Sequence, residues 1–124
     1  MRIFKNKAFT KWAAKEGIGD DTLRIAVDEM EQGLIGAELG GHVVKKRVAV
    51  GGRGKSGGVR TLLVYKLGDK AFFVYGFAKN ARDNISTDEL KVLKHLAKEL
   101  LSYSNKSLIE AMKHGVLNEV DNDG

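Results

Sequence analysis

Five of the eight residues from Gly51 to Gly58 are glycine, and the other three are Arg53, Lys55 and Ser56. Backbone amides in such a loop can approach an anion closely, with cations beside them. The segment imitates two phosphate signatures and completes neither. Gly52, Gly54 and Gly57 have the spacing of a dinucleotide-binding turn, but that turn must open a helix whose N-terminus meets the pyrophosphate. Here VRTLLVYKL follows, which reads as a strand. A P-loop needs a glycine where this chain has Ala49, and it too must lead into a helix. What remains is phosphate binding outside a nucleotide fold, set against the plain alternative of a strand connector with solubilising charges.

The surrounding charge favours the anion site. Residues 42–79 hold nine Lys or Arg side chains against the single Asp69, whereas the segments on either side are slightly acidic, so the net charge of +5 originates here. A solvated face usually mixes both signs, and a block of one sign fits a polyanionic partner. In VVKKRVAV the two-residue period puts Lys45 and Arg47 on one face, with Lys46 between them. Gly68-Asp69 reads as a tight hairpin turn between VRTLLVYKL and KAFFVYGFA. With Leu67 opposite Lys70, Arg60 faces Phe77, and Lys79 becomes its diagonal neighbour at a Cα distance of roughly 7–8 Å. Like charges side by side contribute nothing to folding, so a shared anion explains them better. An extended cationic cleft suits single-stranded RNA or a structured RNA surface. Tyr65, Tyr75 and Phe77 are available to stack on bases or, more simply, to fill the core.

Several elements must position these groups. Arg2 to Phe4 reads as a short strand, and Lys7 to Gly17 as a helix with Phe9, Trp12 and Ala13 on one side. A second helix starts at Asp20 or Asp21, either of which can cap it, and places Leu23, Ala26, Val27, Met30 and Leu34 on one stripe. Its outer residues Asp28, Glu29 and Glu31 read as a solvated face and not as a metal site. Three strands follow from His42. A third helix begins at Ser86, with Glu89 completing a capping box, and lays Leu90, Leu93, Ala97, Leu100 and Leu101 across the sheet. A short helix opened by Ser107 and Glu110 comes next, and 118–124 is polar and expected to fray, leaving a single domain over 1–117.

Composition narrows the chemistry. A chain of 124 residues, 43% apolar, holds one core of ordinary size. Without cysteine there are no disulfides, zinc thiolates or thiol nucleophiles, and His42, His95 and His114 are scattered as structural or solvated histidines usually are. No apolar run reaches the roughly 18 residues of a membrane span, and MRIFKNKAFT lacks the apolar core of a secretion signal. The expectation is a cytoplasmic protein with no membrane contact.

The stretch RVAVGGRGKSGGVRTLLVYKLGDKAFFVYGFAKNARDNI, followed by a helix opening Ser-Thr-Asp-Glu-Leu, resembles the RelE/HigB-like toxins of bacterial toxin-antitoxin pairs. The likeness covers 43 to about 101, and MRIFK to LGG fits the two helices that open these toxins. It implies an α+β fold, a small antiparallel-rich sheet packed against two N-terminal helices and one C-terminal helix. It also implies an endoribonuclease, an mRNA interferase, that cuts messenger RNA, in many members only within the translating ribosome. Such toxins use no metal or other cofactor, activating a ribose 2′-hydroxyl against the adjacent phosphate. A cognate antitoxin, of helix-turn-helix type, silences them.

Carried over by position, Lys45 and Arg47 match the paired cations of the basic strand, Lys55 the loop lysine, and Arg60 the arginine opening the next strand. Lys79 and Arg82 match the cations after the hairpin. Arg60 is expected to hold a non-bridging phosphate oxygen and steady the transition state, with Lys79 assisting. A lysine takes the 2′-hydroxyl proton as the free amine, a form that neighbouring cations favour, which singles out Lys45 first and Lys55 second. Lys46, Arg53, Asn80 and Arg82 are expected RNA contacts. Several members carry an aromatic residue or His near the start of the last helix, and some a second Arg after the lysine, whereas this chain has Ser86 and Asn80. That leaves the proton donor among Arg82, Lys55 and a ribosomal group. The reading requires Lys45, Arg47, Arg60 and Lys79 to converge, with Arg60 open to a ligand. The alternatives are a non-catalytic basic module that binds RNA or DNA, and a basic surface that only holds an acidic partner.

Overall fold

The computed structural model describes residues 1–50, 54–79, 81–82 and 84–120, with the backbone alone over 54–57. Strand β1 (Arg2–Asn6) turns directly into helix α1 (Lys7–Glu16) at Asn6, whose side-chain oxygen accepts from the Phe9 N–H at 2.8 Å. Gly17, at φ 74°, ends the helix as expected. Helix α2 (Asp20–Glu31) is capped by Gly19 and not by a side chain, and the two aspartates lie in its first turn, where the helix dipole favours them. Leu34 falls beyond α2 and is 61% exposed, so it leaves the predicted stripe.

Next come β2 (Ala37–Gly40), β3 (Val43–Val50), β4 (Gly54–Tyr65) and β5 (Lys70–Ala78). Helices α3 (Thr87–Leu101) and α4 (Asn105–Lys113) follow, then β6 (Leu117–Glu119). One sheet runs in the order β2-β3-β4-β5-β1-β6, and every pair is antiparallel except β1 with β5. It is an α+β fold with helices on both faces. On one face α1 and α2 cover Val44, Val48, Leu63 and Phe73, and on the other α3 and α4 cover Phe4, Val43, Val64 and Phe72. Phe4 and Phe72 stack there across the parallel pair, with ring centroids 5.2 Å apart. Each such ring contributes about 1.5–3 kcal/mol by leaving water.

Several elements differ from their sequence-based expectation. The short helix α4 forms where the sequence places it, but it is capped by Ser104, whose Oγ accepts from Ser107 N–H, and not by Ser107. Asn118 and Glu119 are held in the sheet through pairing with β1 and a bidentate Arg2–Glu119 bond, and Val120 is buried, so order extends past 117. Strand β4 begins at Gly54, inside the expected loop. The Ser86–Glu89 capping box forms as expected.

The hairpin register carries the most consequence for function. Lys66, and not Leu67, lies opposite Lys70, in a turn closed by Asp69 N–H to the Lys66 carbonyl with Gly68 at φ 76°. The pairs from Tyr65↔Ala71 to Leu63↔Phe73 are therefore one residue out of the expected frame. A bulge at Val74 then restores it, giving Leu62↔Tyr75 and Arg60↔Phe77. The extra residue turns Tyr75, Phe77 and Lys79 onto the face that carries Phe72 and Arg60. Asn6 Nδ2 donates to the Val74 carbonyl at 3.1 Å, so one side chain both caps α1 and fastens the bulge. Asn6→Ala is expected to cost about 1–2 kcal/mol, as a lost cap does, readable as a lower urea midpoint.

Candidate nucleic-acid interface

The two sheet faces alternate residue by residue, so the row of β3 that places Val43 beneath α3 continues as Lys45 and Arg47. On β4 the row of Val64 continues as Leu62 and Arg60. Past the edge of the helical cover, apolar side chains thus give way to cations on the same face. There Arg47 lies directly opposite Arg60. Lys45, Arg47, Arg60 and Lys79, with Gly36, Ala37 and Lys46, line a cleft of about 550 Å³. Four cations from β3, β4 and the end of β5 converge as the sequence anticipates.

Arg60 departs from the expectation of an open fork. Its residue surface is only 6% exposed, and Nη1 is shut off from solvent with no hydrogen-bond partner among the described residues. The side chain nevertheless borders the cleft. An unpaired buried donor costs about 1–3 kcal/mol, and a like charge directly across the strands adds to that. The site therefore holds a largely buried cation whose Nη1 finds no acceptor among the described residues, and an entering anion would supply one.

Lys46 contributes to the cleft wall, but its side chain leaves through the opposite face. Nζ bonds the Leu34 carbonyl at 2.7 Å and pairs with Glu29 Oε1 at 3.0 Å. Glu29, read as part of a solvated face, is thus drawn onto the sheet. Tyr65 points into the core under α1 and α2, away from the cleft, and Phe77 is buried. Tyr75 is half-buried, with its hydroxyl bonded to Arg82. None of the three histidines lines the cleft. Arg53 and Asn80 lie outside the described residues, as does the Lys55 side chain, whose backbone belongs to β4.

Sequence reasoning missed the contribution of Gly36 and Ala37. Gly36 has φ 95°, and a Cβ there would stand 2.5 Å from the Lys45 carbonyl oxygen, so only glycine lets β2 close against β3 beside the cleft. The run Gly33 to Gly36 was the available signal, but it lacks the apolar alternation that marks a strand.

Arg82 is engaged within the protein. Nη2 and Nη1 donate to Glu89 at 2.6 and 3.0 Å, Nη1 also to Tyr75 Oη at 3.1 Å, and Nε to the Asn84 carbonyl at 2.8 Å. Its bond to Glu89, then that to Tyr75, raises the affinity of the guanidinium for its proton, which argues against a proton-donating role. The Arg82 bond and the Ser86 N–H hold the Glu89 carboxyl down at about 2. The pair's contribution is then present above the ordinary carboxylate value of 4.5 and is lost as pH falls from there towards 2. Thermal melts should show the advantage of the wild type over Glu89→Gln shrinking across that window and staying constant above it. A constant difference down to pH 2 would contradict the assignment.

No helix among the described residues is long and apolar enough to cross a membrane. Comparison with curated proteins finds no match. The family described as the RelE toxin of the RelE/RelB toxin-antitoxin system matches residues 1–120, and such a family implies an antitoxin partner. With nearly the whole chain matched and the α+β fold in agreement, this protein belongs to the RelE toxin family, the toxin half of a toxin-antitoxin pair.

Proposed function

We propose that the protein is an endoribonuclease that cuts messenger RNA on the translating ribosome and is silenced by a helix-turn-helix antitoxin. The observation that carries this is Arg60, a largely buried cation whose Nη1 has no partner among the described residues, at the border of a cleft shared with Lys45, Arg47 and Lys79. A folding role alone would favour an apolar residue there, whereas a phosphate supplies the missing acceptor.

In the proposed reaction Lys45, as the free amine, accepts the 2′-hydroxyl proton. The 2′-oxygen bonds to phosphorus while the bond from phosphorus to the 5′-oxygen breaks, leaving a 2′,3′-cyclic phosphate and a 5′-hydroxyl. Arg60 and Lys79 hold the non-bridging oxygens as charge builds on them. Arg47 holds a flanking phosphate, and Lys55 is the alternative proton acceptor. Arg53 and Asn80 extend the contact to neighbouring nucleotides, whereas Lys46, expected to join them, is taken up by Glu29 and the Leu34 carbonyl on the opposite face. A donor to the leaving 5′-oxygen comes from Lys55 or from the ribosome.

Expression should arrest growth, and end-mapping should find cuts inside translated messages that carry 5′-hydroxyl ends. Purified protein should reproduce them with ribosomes in the presence of a calcium chelator and of zinc-selective chelators at fixed magnesium. Folded protein that leaves both growth and ribosome-bound messages intact would refute the proposal. RNA binding that falls steeply with salt, without cleavage, would identify a non-catalytic module instead.

A further inference from the structure

Arg82 follows the hairpin in the run Lys79 to Asn84 and was expected to contact RNA, yet its side chain does not border the cleft. A guanidinium has five N–H donors in a rigid fork. Here the fork makes four bonds in three directions, to Glu89, to the Tyr75 hydroxyl and to the Asn84 carbonyl. Its carbon also stands 5.7 Å from the centre of the Phe77 ring. Tyr75 and Phe77 lie on the strand row that continues to Lys79, and Phe77 is the cross-strand partner of Arg60. At the other end, Glu89 is held independently by accepting the Ser86 N–H at 2.7 Å in the cap of α3.

We infer that Arg82 is a positioning residue, which clamps the end of β5 to the first turn of α3 and so sets where Lys79 stands relative to Arg60. This rests on the reading of the cleft as an RNA-cleaving site. The chain of contact is continuous: the cap fixes Glu89, Glu89 fixes the guanidinium, and the guanidinium fixes Tyr75 and packs against Phe77, four and two residues before Lys79. Lysine is no substitute, because an ammonium on a flexible stem neither grips a carboxylate with two parallel bonds nor lies flat on a ring.

The test compares Glu89→Gln, Arg82→Ala and Arg82→Lys in the full chain. Cleavage of a ribosome-bound message gives kcat and KM, and a short single-stranded RNA gives affinity as a function of salt. Glu89→Gln keeps an acceptor for the Ser86 N–H, so the helix cap survives while the clamp loses its charge. A positioning role predicts that kcat falls about tenfold or more in all three, with KM and the salt dependence of RNA binding unchanged. A phosphate contact predicts the opposite, namely tighter RNA binding in Glu89→Gln, which frees the guanidinium, and a salt slope lower by about one in Arg82→Ala. That result, or full kcat in Glu89→Gln, would overturn the inference. Should Arg82→Ala fail to fold, Glu89→Gln decides alone. Should the wild type bind RNA without cutting it, the proposed function fails, and hydrogen exchange reads the clamp instead. The Ala81 and Arg82 amides, bonded to the Ala78 carbonyl at 3.0 and 3.4 Å, should then exchange faster in Glu89→Gln. Unchanged exchange would again overturn it.

Discussion

Replacing Arg60 by methionine should lower RNA cleavage by about 10²–10³-fold, the usual effect of removing one donor aimed at transition-state charge, while leaving the fold as stable as before or more so. The two effects have one origin. Nη1 of Arg60 has no partner among the described residues, and Arg47 stands directly opposite, so methionine removes a buried charge that lacks compensation there, at similar volume. Exchanging buried charged groups for well-packed apolar ones is often neutral or stabilising by about 1–4 kcal/mol. Cleavage on ribosomes and thermal unfolding of the same preparation check both halves. A variant that melts well below the wild type would make Arg60 a structural residue, and one that cuts at the wild-type rate would remove it from the reaction.

Gly36→Ala is the second large effect, and it acts through backbone alone. A residue with a side chain at φ 95° is strained by about 1–3 kcal/mol. Overpacking against the Lys45 carbonyl adds about 1–3 kcal/mol more, because neither backbone can swing aside as a side chain could. Stability should fall by roughly 2–6 kcal/mol, and β2 should part from β3 where Ala37 pairs with Lys45. Gly33→Ala is the control: Gly33 has φ 102° but nothing within 4 Å of the added carbon, so it shows the strain without the contact. Urea unfolding of the two variants separates the two contributions. Equal losses would mean that the close approach at Gly36 has no energetic consequence.

The bulge at Val74 shows how a correct expectation can hide a missing step. Counting from the Gly68-Asp69 turn places Arg60 opposite Phe77, and that pair is found. The turn itself is one residue different, and the bulge cancels the offset before the chain reaches the site. Without the bulge Lys79 would lie on the α1–α2 face, since one residue of slip exchanges the two faces of a strand. The placement of the cationic pair therefore depends on the bulge at Val74 and its anchor Asn6 as well as on the charges. It depends on Gly76 too, where a Cβ would overlap the Trp12 ring packed beneath the same strand.

Features governed by neighbours in the chain are legible in the sequence. Helices α1, α2 and α3 follow from apolar spacing, the start of α3 from Ser86 and Glu89, β3 and β5 from β-branched and aromatic runs, and the cationic block from a count of charges. These depend on interactions within a few residues, where composition and period carry the information. Strands β2 and β6 escaped because Ala37–Gly40 and Leu117–Glu119 have no strand pattern of their own and are extended only through their partners. The parallel pairing of β1 with β5, the withdrawal of Lys46 to Glu29, the engagement of Arg82 and the burial of Arg60 each join residues far apart in the chain or facing different layers. Charge is a property of the residue, but whether a given cation is free for an anion depends on which other groups the packed chain brings within about 3 Å of it, and no local pattern encodes that distance.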